Sequence, residues 1–231
     1  MFSKLKTISL TLVAIFALAA IAASAASAAE YHAEEASEAK PAFLFGESSD
    51  TVLTIKHSPT NVTVACASTK LAGSSTVKAA VTMKLHPTYS SCKLNGVAAT
   101  ITVPSTCGYE LGVAKDEGLI EFPANSGKFQ TFWKASAAVA SCGSPIKIAA
   151  GSCTVEVKNQ SGLQSVSTLD QGSGTSRDIF MIIQLSGIKV SQKAGCPGEA
   201  GEFTTGEYSE TMTLKGFTNE LMTTQQGIWV E

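Results

Sequence analysis

The sequence predicts an all-β fold: a secreted, disulfide-stapled β-sandwich, or two small β subdomains, built from many short antiparallel strands. Three observations predict it. Segments rich in Val, Ile and Thr recur along the chain, with turn signals about every 8–12 residues, the rhythm of sandwiches and barrels. Helical periodicity is rare. Six cysteines follow an N-terminal export signal, which assigns them to an oxidising compartment.

The composition narrows the class further. The 231 residues carry 17 Lys+Arg against 19 Asp+Glu, a net charge of -2. Only 16% of residues are charged, below the roughly 25% of an ordinary soluble domain. Arg177 is the single arginine, so the chain lacks the basic patch of a nucleic-acid binder. An apolar content of 44% with low charge supports a core and argues against disorder.

Residues 1–28 have the layout of a signal peptide. Lys4 and Lys6 form a basic start, Ile8 to Ala20 an apolar run, and Ala26-Ser27-Ala28 a small-residue cleavage site. The leucine-rich part is short for a membrane span. Cleavage is expected after Ala28, with the neighbouring Ala29 as the alternative; after Ala28 it leaves 203 residues with 15 basic against 19 acidic side chains, a charge of -4. No cysteine stands at the cleavage site to take a lipid, and Thr223 to Glu231 forms no apolar tail. The expected destination is therefore the cell envelope, periplasm or medium, with no membrane anchor after cleavage. Residues 29–42, rich in Ala and Glu, read as a loose arm or a fraying helical turn. Residues 43–231 read as the all-β part, with a subdomain boundary near 115–118 if there are two.

The strands follow in order. Thr51 to Lys56 is β-rich, and Asn61 to Ala65 alternates into Cys66. Ser75 to Leu85 alternates over its second half, with Val81, Met83 and Leu85 on one face. Asn95-Gly96 is a tight-turn pair before a strand from Val97 to Val103, which Pro104 stops. Gly108–Val113 and Leu119–Phe122 are separated by a turn-like Lys115–Gly118. Phe129, Phe132, Trp133 and Ala137 fall at helical spacing, so helix and strand both stay open there, with strand preferred. Ile146–Ile148 and Cys153–Val157 flank a hairpin turn. Ile179 to Leu185 is continuously apolar and reads as a central strand covered on both faces. Ser186-Gly187 is expected to turn it into Ile188–Val190. Tyr208 to Phe217 alternates, with Met212, Leu214 and Phe217 inward. Gly227 to Val230 is a terminal strand. The expected core comprises Val52, Ile55, Val62, Val64, Val81, Met83, Leu85, Ile101, Val103, Ile148, Val155, Val157, Ile179, Ile182, Leu185, Ile188 and Leu214.

Cys66, Cys92, Cys107, Cys142, Cys153 and Cys196 contain no C-x-x-C pair, so zinc-ribbon and thioredoxin-like sites lack their signature. Three disulfides are expected. Six cysteines permit about 15 connectivities. Sequential pairing, Cys66–Cys92, Cys107–Cys142 and Cys153–Cys196, is the working hypothesis.

Catalytic signatures are weak. His32 lies in the arm, His57 before Ser58-Pro59, and His86 before Pro87. No G-x-S-x-G elbow is present. Asp116, Glu117 and Glu121, and Glu199, Glu202 and Glu207, are close in sequence but read as solvated turns. The Gly-rich segment from Asp170 to Asp178 has an acid at each end yet lacks EF-hand spacing, and reads as a hairpin loop. No catalytic, cofactor or metal residue is assigned. Tyr89, Tyr109, Trp133, Tyr208 and Trp229 would make a sugar-stacking platform if they shared an exposed face; buried aromatics are the alternative.

The chain resembles a group of exported bacterial six-cysteine proteins of unknown function. The resemblance rests on ordered elements across the mature chain. These are Val64-Ala-Cys66, His86-Pro-Thr-Tyr-Ser-Ser-Cys92 and Thr106-Cys-Gly-Tyr109, then Gly151-Ser-Cys-Thr-Val-Glu-Val157, Cys196-Pro197, Gly206-Glu-Tyr208 and Gly227-Ile-Trp-Val230. It implies export and six structurally used cysteines, and no activity. The leading expectation is a non-enzymatic protein with a structural or surface-binding role at or outside the cell envelope. The alternatives are a carbohydrate- or ligand-binding module and a secreted hydrolase.

Overall fold

The structure is a computed structural model that describes residues 30–56, 60–121, 129–140 and 144–230. The first element, β1 (Tyr31–Ala33), belongs to a small cap that also includes the chain end. The barrel wall starts with β2 (Ala42–Ser48) and β3 (Thr51–Ile55), followed by β4 (Val62–Ser75). The short β5 (Ala79–Ala80) precedes β6 (Thr82–Leu94), β7 (Val97–Thr102) and β8 (Gly108–Glu121). Next come β9 (Phe129–Ala140), β10 (Ile146–Ala150), β11 (Cys153–Val157) and β12 (Gln160–Gln171). The wall ends with β13 (Asp178–Gln192) and β14 (Gly201–Phe217), and β15 (Gln225–Gln226) and β16 (Ile228–Val230) finish the chain.

Pairing is antiparallel throughout and closes on itself. β2 and β3 lie end to end along β4, in one register from Ala42↔Ser75 to Ile55↔Val62. β4 pairs with β6, and β6 with both β7 and β8. β8 pairs with β9 and β7 with β10, so β7–β8 and β9–β10 act as single staves. β11 and β12 form the next stave, joined to β10 and β9 on one side and to β13 on the other. β13 pairs with β14, and β14 returns to β2 and β3. The result is an up-and-down circuit of eight staves in chain order. Among the described residues every wall stave pairs on each side, except that β4 and β6 are unpaired beyond Ala72↔His86, so little free sheet edge is left to recruit another chain.

The alternation of side chains explains why the wall closes. Along β14, Gly206, Tyr208, Glu210, Met212, Leu214 and Gly216 are buried while the residues between them are not. β13 does the same with Ile179, Met181 and Ile183. The inward rows are mostly Val, Leu, Ile and Met, and the outer wall carries Lys–Glu pairs. Lys56 and Glu207 meet at 2.5 Å, Lys70 and Glu47 at 3.6 Å, Lys193 and Glu156 at 3.3 Å, and Lys158 also pairs with Glu202. This is the reverse of a lipid-spanning barrel, whose apolar residues face outward. Among the described residues, no helix is long and apolar enough to cross a membrane.

Several expectations change in the folded chain. The segment with helical spacing keeps the preferred reading and is strand β9. Lys115–Gly118 is no turn: it lies inside β8, with an irregular register between Val113 and Glu117. Ser186-Gly187 is likewise no turn. β13 passes through it with a register shift between Leu185 and Ile188. The arm is anchored, because β1 pairs with β16 on one side and β5 on the other. This three-stranded cap covers one end of the barrel. Val230 donates its N–H to Asp170 Oδ1 at 2.9 Å, and Ile228 donates to the Arg177 carbonyl at 2.8 Å. The buried Gln226 accepts from the Glu35 N–H and donates to the Phe217 carbonyl.

Most of the expected core is buried, including Ile55, Val62, Leu85, Val155, Ile179 and Leu214. Val81 is 48% exposed, because it precedes the strand that Met83 and Leu85 occupy. Ile182 faces outward and is half-buried, so β13 is covered fully on one face only. Val52 is half-buried for the same reason of phase, between buried Thr51 and Leu53. Ile101, Val103 and Leu185 pack at the margin of the core.

Candidate functional site

The inward rows contain one layer that is not apolar. On three neighbouring staves two consecutive outward residues interrupt the alternation, so the inward phase resumes three positions later. The interruptions separate Ser48 from Thr51, Cys66 from Thr69, and Tyr89 from Cys92. Asp50 and Ser91 adopt positive φ there, at 67° and 52°. Register then aligns Ser48, Thr69 and Tyr89 in one row, and Thr51, Cys66 and Cys92 in the next. β14 contributes Tyr208 and Glu210, and β8 contributes Tyr109.

These groups form a hydrogen-bonded belt at the waist of the barrel. Thr51 Oγ1 donates to Glu210 Oε1 at 2.9 Å and lies 2.7 Å from Thr69 Oγ1. The Tyr208 hydroxyl donates to Glu210 Oε2 at 2.5 Å. The Tyr89 and Tyr109 hydroxyls hydrogen-bond each other, and the Tyr109 and Tyr208 rings meet edge to face with centroids 6.5 Å apart. Glu210 is 3% exposed, and burial raises its pKa above the usual carboxylate value. Hydrogen bonds from Tyr208, Thr51 and Ser48 oppose that rise by favouring the ionised form. Burial likewise pushes the phenols of Tyr89, Tyr109 and Tyr208 up, so they stay neutral donors.

Above the belt lies an apolar cavity of about 60 Å³, bordered by Leu53, Val64, Ile101, Ile148 and Ile183 with the three tyrosines. An engineered apolar cavity of roughly 150 Å³ takes up benzene. This cavity is therefore smaller than one that holds a benzene ring, and side chains fill most of the space around it, as eight-stranded barrels allow.

The predicted residues are distributed as follows from the topology. Tyr89, Tyr109 and Tyr208 do come together, inside the barrel instead of on an outer face. Trp229 sits at the capped end, stacked on His32 at 5.2 Å, with the Arg177 guanidinium 4.8 Å from its ring centroid. Trp133 lies in β9, and its side chain is outside the described residues, as is His57. Cys66–Cys92 and Cys153–Cys196 are bonded. Cys107 is also disulfide-bonded, whereas Cys142 lies outside the described residues. His86 places Nδ1 2.9 Å from the Cys107 carbonyl. Both acids of the Gly-rich loop are engaged within the protein. Asp170 accepts from Arg177 at 2.8 Å, and Asp178 accepts from Gln225 at 2.8 Å. Among the described residues, no three His, Cys, Asp or Glu side chains gather as a metal site would require.

Sequence reasoning missed Glu210, although a signal was present. It falls in phase with Tyr208, Met212 and Leu214, on the inward side of an alternating strand. A carboxylate on an apolar row marks a buried polar site.

No protein-family model, curated protein or solved structure matches the chain.

Proposed function

We propose that the mature chain is an exported, non-enzymatic β-barrel scaffold with a structural or surface-binding role at or outside the cell envelope. The packing beside the polar belt supports this reading: the cavity there is only about 60 Å³, which favours the outer wall and loops as the surfaces that meet the surroundings. Disulfides at the waist and at the far end fit an oxidising destination. The charged outer wall fits contact with water. The surroundings of His86 and His32 favour structure over catalysis, since one meets a backbone carbonyl and the other an indole ring.

The test is the intact mass of the protein recovered from cell fractions, with alkylation under denaturing, non-reducing conditions. The expected product lacks residues 1–28, takes up no alkyl group, and stays with washed envelopes or the medium. A full-length chain in the cytoplasm with alkylatable cysteines would overturn the proposal.

A further inference from the structure

β8 and β9 outrun the barrel wall. β6 accompanies β8 only from Leu85↔Tyr109 to Thr82↔Gly112. β12 accompanies β9 only as far as Thr168↔Trp133. From Gly118↔Phe132 to Glu121↔Phe129 the two strands pair with each other, and among the described residues no third strand pairs with either. A two-stranded ribbon therefore leaves the wall at the end where β6 begins. Such a ribbon is marginal by itself in water. This one contains Leu119, Ile120, Phe129 and Phe132, residue types that favour strand over loop.

On the side away from β9, residues 113–121 of β8 have no strand beside them among the described residues. Backbone N–H and C=O groups of a strand point alternately to its two sides, so part of those of β8 face this open edge. An unpaired edge is a template for another strand. The register with β9 is irregular between Val113 and Glu117 and regular from Glu117 to Glu121.

We propose that this edge pairs with the same edge of a second copy of the chain. The two β8 strands run antiparallel about a two-fold axis and make one four-stranded sheet, in the order β9, β8, β8, β9. A two-fold axis through such a pair sets one residue opposite its own copy. Charge decides which residue that is. Centred on Glu117, the contact sets that carboxylate against itself. Centred on Leu119, it sets Glu117 against Glu121. Centred on Gly118, it sets Lys115 of each copy opposite Glu121 of the other, and a residue without a side chain lies on the axis. Unlike charges directly opposite stabilise a strand pair and like charges destabilise it, so the sequence selects the register centred on Gly118.

The test is sedimentation equilibrium of the oxidised mature protein at low salt. The contact is small, so a monomer–dimer equilibrium with Kd on the order of 10–100 µM is expected. Amide exchange over residues 117–121 should slow as the protein concentration rises. Lys115→Glu alone and Glu121→Lys alone each set like charges opposite each other twice across the axis, and each should weaken association about tenfold. The double variant, Lys115→Glu with Glu121→Lys, restores two unlike pairs at the wild-type net charge and should recover the wild-type affinity. Three results would overturn the proposal: a monomer throughout up to about 1 mM, single variants that associate as the wild type does, or a double variant that associates no more tightly than the singles.

Discussion

Removing the two described disulfides one at a time tests whether they stabilise the barrel through the unfolded chain. Cys66–Cys92 closes a loop with a sequence separation of 26, and Cys153–Cys196 one of 43. The chain-entropy relation converts these to about 3.5 and about 4.0 kcal/mol at room temperature. Geometry modifies both numbers. Cys66 and Cys92 face each other directly in the β4–β6 ladder, so residual hairpin structure in the unfolded chain would lower the first. Both sulfurs are buried beside the polar belt, so replacement by Ala adds a packing loss. Cys153 and Cys196 join the start of β11 to the connection after β13, a pairing between distant segments, so the second value should hold better. Urea unfolding followed by tryptophan fluorescence measures each Cys→Ala pair against the oxidised protein. Each pair should lower stability by about 2–4 kcal/mol and steepen the denaturant dependence, because an uncrosslinked chain exposes more surface. Both removed together should take about 7 kcal/mol from a domain whose total is about 5–15 kcal/mol, leaving it largely unfolded at 37 °C. A loss below about 1 kcal/mol with an unchanged slope would refute the reasoning.

Other expectations follow from the packing and the belt. Glu210 has a raised pKa, so its unfolded form ionises first as pH climbs past the usual 4.5, and folding loses stability until the buried carboxyl also ionises. Glu210→Gln removes this penalty, and its stability relative to wild type should therefore rise between pH 4 and pH 7; a flat or falling difference in urea titrations would contradict the burial argument. Ile183→Ala should cost about 2–5 kcal/mol, and Ile182→Ala less than half as much, because only the former points into the barrel. Equal losses on thermal unfolding would mean the phase of β13 is misread. At Gly73 an added Cβ would lie 2.4 Å from the Lys84 carbonyl, so Gly73→Ala should destabilise by about 1–3 kcal/mol. A neutral Gly73→Ala in calorimetry would show that the close approach of β4 to β6 is absent.

Much of the fold was legible because a half-buried strand writes its exposure into the chain with a period of two. β14 alternates over Tyr208–Phe217, and Asn95-Gly96 adopts positive φ at both positions, as its two-residue hairpin requires. β12 was not legible. Leu163 and Val166 are buried there three positions apart across a register shift, a spacing that no strand template contains, before Val166 and Thr168 resume the period of two. The same kind of interruption hid the polar belt. Ser48, Thr69 and Tyr89 belong to three separate strands, and only register aligns them.

The sequence by itself determined the all-β class, the export-type start and most inward-facing residues, and it offered the Cys66–Cys92 and Cys153–Cys196 pairs only as one hypothesis among about 15 connectivities, which the structure then selected. These depend on local chemistry: alternation, turn residues and the number and spacing of cysteines. Only the tertiary structure decided that the wall closes and that three tyrosines and Glu210 share its interior. Those features depend on which strands become neighbours. Neighbours are fixed by hydrogen bonding between segments more than a hundred residues apart, as when β14 returns to β2 and β3.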